Sequence, residues 1–560
     1  MLGRIGTPDQ VRRELVARMS LRIPQEHSLD ILADVTDLLK LGKDASNEAA
    51  LEAIKAAFPE FGDFEGRDFP SLCFALATGV GKTRLLGAFI AFLYITGRSK
   101  NFFVLAPNTT IYQKLVADLT PGTRKYVFKG VSAFTQHPPV VVTGDTWDQS
   151  TIFVEAARRN GGAVINVFNI DKINKEGGRI KKLNEYVGDS YFNFLAGLPD
   201  LVLIMDEAHR YRAKAGLKAV TDLKPVLGLE LTATPKSVGA RAVGFQNVIY
   251  KFGLGEAMEH GYVKEPAVAT RKDFDPKSVT PERLEEIKLE DGIHAHEHVR
   301  LELEKYATET GRPRVRPFML VVAQDTDDAR RIRGRIQSDS FFGGYYKDRV
   351  IQVDSSGKSK EESDEVTERL LKLETDGTTE IVIHVNMLKE GWDVTNLFTI
   401  VPLRASASDI LTEQTLGRGL RLPYGERTKV EAIDRLTVIA HDRFAEVIEK
   451  AKEPGSVVAT MKAVVIGEGG DIPATGSTLV QAPSRAEAAL TGAASGLSDH
   501  SQEPFVFQTQ EERTVAKVTL DVIHAMEREF KTLDDLHKPE VQAKIAAKVE
   551  AISKSPSRNS

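Results

Sequence analysis

The sequence predicts an α/β protein: two parallel-sheet domains in tandem, with helical additions at the N- and C-terminal ends. Three observations predict it. An apolar run, Ser71 to Ala75, leads into the glycine-bearing stretch Leu76-Ala77-Thr78-Gly79-Val80-Gly81-Lys82-Thr83, and a helical run, Arg84 to Tyr94, leads out. Short apolar runs alternate with helical stretches in two successive blocks. Most runs are near-continuously apolar rather than alternating, as strands are when helices cover both faces of a parallel sheet.

The chain has 560 residues, too many for one core, so about two to four domains are expected. Hydrophobic content of 42% and charged content of 27% describe an ordinary soluble globular protein. The formal net charge of −5 does not announce a nucleic-acid partner, so any basic surface must be local. The single cysteine, Cys73, excludes a disulfide framework and a cysteine-based zinc site and suits a reducing, cytoplasmic setting. No charged-then-apolar signal pattern opens the chain. The most apolar helix candidate, Leu85 to Thr96, is about half the ~20 residues needed to span a bilayer, so no membrane partner is expected.

Taken in order, residues 1–60 read as helical, with apolar positions at three-to-four spacing over Val11–Met19 and Leu29–Leu41. Pro24 marks the start of the second helix, and Gln25 beside it has an amide able to donate to and accept from an adenine edge. The first block spans residues 61–262, with strands expected at Ser71–Leu76, Phe102–Ala106, Ala163–Phe168, Leu201–Met205 and Leu227–Leu231. A charged segment over 271–312 carries His294, His296 and His298; the surroundings read helical, and a solvated helix face is expected rather than a metal site. The second block, 263–445, has strands expected at Phe318–Ala323, Val350–Val353, Ile381–Val385, Phe398–Leu403 and Leu436–Ala440. Residues 446–560 form a linker and helical C-terminal region: Gly, Ala, Ser and Pro dominate 467–504, a helical pattern covers Val515 to Ile552, and a polar tail follows.

The chemistry sits at the ends of the expected strands. Strand, glycine loop and helix together are what a nucleotide phosphate loop needs. Thr78, Gly79, Val80 and Gly81 would turn backbone N–H groups toward an anion, Lys82 would reach the β- and γ-phosphates, and Thr83 would hold Mg²⁺. Leu76 stands where the general pattern wants Gly or Ala. Strand Leu201–Met205 ends in Asp206-Glu207-Ala208-His209. Asp206 would hold the hydrated Mg²⁺ beside Thr83, Glu207 would orient the attacking water, and His209 would link this site to what lies across the cleft. Thr232 and Thr234, in Leu231-Thr232-Ala233-Thr234-Pro235, can hydrogen-bond to the acidic motif and relay its state. In the second block, Glu413-Gln414-Thr415-Leu416-Gly417-Arg418-Gly419-Leu420-Arg421 places two guanidinium groups three apart on one helix face, the pattern of an arginine finger. Asp393, in Glu390-Gly391-Trp392-Asp393, could orient the ribose or an arginine.

In this order, Ala-Thr-Gly-Val-Gly-Lys-Thr, Asp-Glu-Ala-His, Thr-Ala-Thr-Pro and Gln-Thr-Leu-Gly-Arg-Gly-Leu-Arg resemble the superfamily-two DEAD/DEAH-box helicases, over residues 22–445. Three further strings are similar to the helicase (Res) subunit of type III restriction enzymes: Arg22–Leu29, Leu254–Pro266, and Asn386-Met387-Leu388-Lys389-Glu390-Gly391-Trp392-Asp393-Val394. The resemblance implies two RecA-like domains with ATP and Mg²⁺ at their interface and nucleic acid across their tops. It implies Gln25 as adenine reader, Lys82 and Thr83 as phosphate and Mg²⁺ ligands, Asp206 and Glu207 as metal and water residues, and Arg418 and Arg421 as fingers. Nucleic-acid contacts would come from Pro107, Asn108, Thr109 and Thr110 after the second strand, from Lys172 and Lys175 after the third, and from Asn386.

Those subunits carry a nuclease domain, and this chain departs from them there. The only late Glu-x-Lys is Glu529-Phe530-Lys531, inside a helical pattern, so a motor without its own cutter, or a truncated relative, is expected. The expected activity is ATP hydrolysis coupled to movement on double-stranded DNA, with a DNA methyltransferase subunit and a separate nuclease as partners. Two other readings stand beside it: a nucleotide-gated clamp that recruits a partner without processive motion, and an RNA helicase.

Overall fold

The strand of residues Ser71–Leu76 (β1) is buried along its whole length, as a run without polar alternation requires. The computed structural model describes residues 7–441 apart from 145, 148–153, 156, 158, 170–188, 212–219, 237–242, 273, 354–372, 375–376, 386–393, 404–416 and 418, together with 462–467, 471–472, 509–526 and 537–553. The chain divides into two compact units, Met1–Ala474 and Thr475–Ser560.

The first unit holds two seven-stranded sheets, parallel throughout. One is ordered β3-β4-β2-β5-β6-β1-β7, from β1, β2 (Asn101–Ala106), β3 (Val140–Thr143), β4 (Val164–Asn169), β5 (Leu201–Asp206), β6 (Leu227–Thr232) and β7 (Val248–Phe252). The other is ordered β10-β11-β9-β12-β13-β8-β14, from β8 (Glu265–Arg271), β9 (Phe318–Val322), β10 (Val350–Val353), β11 (Ile381–His384), β12 (Leu397–Pro402), β13 (Arg435–Ile439) and β14 (Lys462–Ile466). All ten strands expected from apolar runs are present. The four that were not expected are sheet edges or charge-flanked. β3 and β7 are only half-buried, β14 is exposed at its start, and β8 begins with Glu265-Pro266 and ends with Arg271, so its apolar run is four residues long.

Helices α1 (Pro8–Arg18) and α2 (Ile23–Leu38) lie against α4 (Lys82–Ile95), which follows the glycine loop, while α3 (Asn47–Ala57) packs on α2. Helix α4 has ten successive buried residues from Leu85 to Tyr94, so it is a core helix covered on all sides. Among the described residues no helix is long and apolar enough to cross a membrane. The first sheet continues through α5 (Thr109–Leu119), α6 (Ser132–Gln136) and α7 (Asp189–Gly197). In the second unit, the helical pattern from Val515 to Ile552 resolves into two helices, Gln510–Ala525 and Pro539–Ser553; Pro539, whose fixed φ suits a first turn, opens the second.

The histidine-bearing segment corrects the expectation of a solvated face. It is a single helix, Pro281–Thr310, capped by the Thr280 side chain and ended by Gly311 at φ +67°. It lies across β9, β12 and β13, so its inward side carries His296, Glu297 and Asp291 into the interior. Each has a partner in the interior. His296 Nε2 lies 3.1 Å from Glu380 Oε2, Tyr346 donates its hydroxyl to Glu297 at 2.5 Å, and Arg271 binds Asp291 through two hydrogen bonds of 2.7 Å. The arginines Arg300 and Arg349 close the remaining carboxylate positions of Glu297 and Glu380, which makes this a structural network rather than an ion site.

Glu380 gives this network a pH dependence. Burial pushes its pKa up, but the hydrogen bonds and charges of His296 and Arg349 outweigh it and hold the carboxyl at about 2 against an ordinary 4.5. A depressed carboxylate stabilises the fold above its unfolded pKa, and that contribution disappears as pH falls from 4.5 toward 2. Urea midpoints measured from pH 6 down to pH 2.5 are expected to fall less steeply for Glu380→Gln than for the native chain; parallel curves would refute the assignment.

Candidate active site

In the first sheet the register aligns Asp206 with Leu231 and Thr232 with Ala75, so the carboxyl ends of β5, β6 and β1 finish at one level. Ligands of open parallel sheets bind outside these ends, and the motif residues of the first domain emerge here.

Beyond β1 the chain turns through Gly79 at φ +88° and Gly81 at φ +107°, a region that residues with a Cβ avoid. Space forbids a side chain there as well. A Cβ on Gly79 would lie 2.8 Å from Val263 Cγ1, and one on Gly81 would lie 2.5 Å from Gln25 Nε2. Gly81 caps α4, whose first N–H groups have no partner within the helix and whose dipole presents its positive end to the loop. Thr78, Val80, Lys82 and Thr83 stand in this turn and first helical residues.

At the end of β5, Glu207 adopts the left-handed conformation, φ +52°, which for a residue with a Cβ costs about 1–3 kcal/mol. Its N–H donates to Asp206 Oδ1 at 3.1 Å, and the tight turn returns its carboxylate toward the loop, Oε1 3.4 Å from Lys82 Nζ. Glu207 Oε2 lies 3.5 Å from His209 Nδ1, which shares a 3.1 Å hydrogen bond with the Thr232 hydroxyl. Thr234 donates its N–H to that hydroxyl, again at 3.1 Å. Lys82, Glu207, His209, Thr232 and Thr234 are therefore a continuous polar chain running from the loop across β6.

Asp206 is buried, and its carboxyl is pushed up to about 6, first by burial and then by the charge of Glu207, against the pull of Lys82 and Lys114. The donors present, the Asp206 carboxylate and the Thr83 hydroxyl, are the hard oxygens a Mg²⁺ ion takes, so the residues fit the ion.

Gln25 is buried, with 1% of its surface exposed, and both its amide atoms are engaged within the protein. Its oxygen accepts from the Arg22 N–H at 2.8 Å, and its nitrogen donates to the Gly81 carbonyl at 2.8 Å. Gln25 thus fastens α2 to the loop, and an adenine contact would have to use its second proton or lone pair. The structure also places Arg22 in the site. Its guanidinium donates to the Gly79 carbonyl at 2.9 Å and to the Gly425 carbonyl at 2.7 Å, and lies 4.8 Å from the centre of the Tyr262 ring. Its position three residues before Gln25, at the cap of α2, was the available signal.

The second domain meets the same loop. A Cβ on Gly417 would come within 2.8 Å of the Thr78 side chain, and Arg421 Cγ passes 3.8 Å from where a Gly79 Cβ would stand. Arg421 is thus brought to the glycine loop from the second sheet's segment of the chain. Gln414, Arg418, Asp393, Asn386, Lys172 and Lys175 lie outside the described residues. Of the other strand-end residues, Pro107 is buried and Asn108 caps α5, accepting from the Ile111 N–H at 2.9 Å. Thr109 is exposed and accepts from the Asn169 amide at 3.1 Å, linking the ends of β2 and β4.

Residues 21–237 match the family described as type III restriction enzyme, res subunit. The chain is similar to the Res subunits of the type III restriction-modification enzymes EcoPI, from Escherichia phage P1, and EcoP15I, from Escherichia coli: 30% identical over 165 residues in each case. That alignment covers 23% of this chain and spans only 17% of the length of either relative. Two solved structures are similar in arrangement. One is the ATP-dependent Type ISP restriction-modification enzyme LlaBIII bound to DNA, at 14% identity and TM-score 0.44, covering 92% of this chain and 40% of that one. The other is S. cerevisiae Dbp5 bound to RNA and ADP BeF3, at 12% identity and TM-score 0.38, covering 81% and 96%. Scores this low assign nothing to the present chain. The matched residues, 21–237, carry the glycine loop, the acidic motif and Thr232-Ala233-Thr234-Pro235, and over this stretch the chain is similar to the res subunits of type III restriction enzymes.

Proposed function

We propose that this chain is an ATP-driven motor that moves on double-stranded DNA. The observation that carries the reading is the ion pair of Lys82 with Glu207 at 3.4 Å, with Arg421 of the second domain beside the same loop. In this reading Lys82 and the loop N–H groups bind the β- and γ-phosphates. Glu207 orients a water molecule and draws off its proton as the water oxygen attacks the γ-phosphorus. A new P–O bond forms, the bond to the bridging oxygen breaks, and ADP leaves with the electron pair. Arg421, and Arg418 three residues before it, balance the charge on the group in transfer. A Mg²⁺ ion held by Thr83 and Asp206 would supply charge neutralisation on the phosphates.

ATP touches loops of both domains, so its binding favours the closed cleft and its loss the open one, which converts hydrolysis into relative domain motion. His209, Thr232 and Thr234 carry the state of Glu207 across the end of β6. DNA as the track is supported by the res-subunit family, whose curated members are parts of restriction-modification enzymes. A DNA methyltransferase subunit and a separate nuclease are the partners we propose. Glu529-Phe530-Lys531 lies outside the described residues.

ATP turnover measured with duplex DNA, single-stranded DNA and RNA tests this directly. Duplex DNA is expected to raise kcat on the order of tenfold, within the usual span of coupling between sites. No stimulation by any nucleic acid would overturn the motor, and a preference for RNA would make the chain an RNA helicase. Displacement of a downstream third strand separates movement from clamping, since a clamp leaves the triplex in place.

A further inference from the structure

The linker between the two sheets, Gly261 to Glu265, contains the most deeply buried lysine of the described residues. Lys264 has no exposed surface, and among the described residues no carboxylate lies within ion-pair distance of its Nζ. The Nζ donates instead to the carbonyls of Thr395, at 3.0 Å, and Leu397, at 2.7 Å, and stands 3.6 Å from the centre of the Phe398 ring. Burial pushes its pKa well down, and only the more distant charge of Asp434 opposes this. Charged or neutral, the group has the two N–H bonds that the two carbonyls require. An apolar side chain would fill this place at lower cost, so the polar group serves to hold something.

What it holds follows from the neighbouring atoms. The Lys264 N–H donates to the Leu420 carbonyl at 2.7 Å, immediately before Arg421. One residue earlier, Val263 fills the space over Gly79 that a Cβ would need. Three anchors converge within two linker residues: the phosphate loop on Val263, the arginine-bearing segment on the backbone of Lys264, and the start of β12 on its side chain. Resting on the hydrolytic reading above, we propose that Lys264 is a positioning residue for Arg421, fixing how the guanidinium meets the phosphate loop. It touches neither nucleotide nor water and acts through the segment it holds.

Lys264→Met keeps the length and apolar stem and removes both donors. In the full chain it is expected to lower kcat for ATP about 10- to 100-fold, the loss associated with a displacement of about 1 Å in a reacting constellation. Binding of a non-hydrolysable ATP analogue should change less than about threefold, since uniform binding does not depend on the finger. In an Arg421→Ala background, Lys264→Met should cause no further loss of kcat, because residues acting as one unit are not additive. An unchanged kcat, or the same fold loss with and without Arg421, overturns the proposal. Should Lys264→Met fail to fold, Val263→Ala trims the contact with Gly79 without touching the buried amine. It should give the same selective kcat loss, absent in the Arg421→Ala background, and additivity there overturns the proposal equally. If Arg421→Ala alone is silent, the finger reading fails first, which distinguishes that failure from this one.

Discussion

Glu207→Gln is expected to lower ATP turnover by about 10²–10⁴-fold, the range supplied by a positioned general base, while leaving nucleotide binding intact. The amide keeps the volume of the carboxylate and can still accept from Lys82 Nζ, 3.4 Å from Glu207 Oε1. It cannot take a proton from water. The substitution also removes the charge that, after burial, does most to push the Asp206 carboxyl up toward 6, so Asp206 ionises more readily in the variant. The variant should therefore trap the nucleotide-bound state. Single-turnover hydrolysis and fluorescent-nucleotide binding, run side by side, check both halves. A kcat within tenfold of the native value would remove Glu207 from the mechanism.

Arg421→Ala is expected to lower kcat by about 10³-fold or more, as loss of an arginine finger does. The geometric basis is that this side chain, carried by the second domain, passes Gly79 of the phosphate loop. In the proposed mechanism it meets charge that develops in the transition state, while in the ground state it is one of several cations, with Arg22 close by. The loss should thus appear in kcat far more than in nucleotide affinity. A rise in KM with kcat unchanged would mean that Arg421 only helps to hold ATP, and the charge-balancing role would pass to Arg418.

The fold was legible because burial on both faces leaves a direct mark: ten continuous apolar runs are ten strands, and the six-residue runs of β1, β2 and β5 are buried end to end. Edge strands β3, β7 and β14 left no such mark, since one side of each faces solvent or loops. The long helix Pro281–Thr310 misled for the converse reason. Its charges read as a solvated face, yet Asp291, His296 and Glu297 are buried because Arg271, Tyr346, Glu380 and Arg300 lie within reach, and those partners are up to 84 residues away in sequence.

By itself the sequence determined the two-sheet α/β architecture and the local geometry of the glycine loop, because strand, glycine turn, lysine and helix are consecutive and local sterics dictate the turn. It also placed Asp206 and Glu207 at a strand end. Only the tertiary structure decided which atoms meet. It folded Glu207 back onto Lys82 through a left-handed turn, spent both amide atoms of Gln25 inside the protein, and brought Arg22 between the loop, Tyr262 and Gly425. It also joined Arg421 to the loop through Val263 and Lys264. Such contacts close over hundreds of residues and depend on hydrogen-bond direction and on space left by absent side chains, which spacing along the chain does not encode.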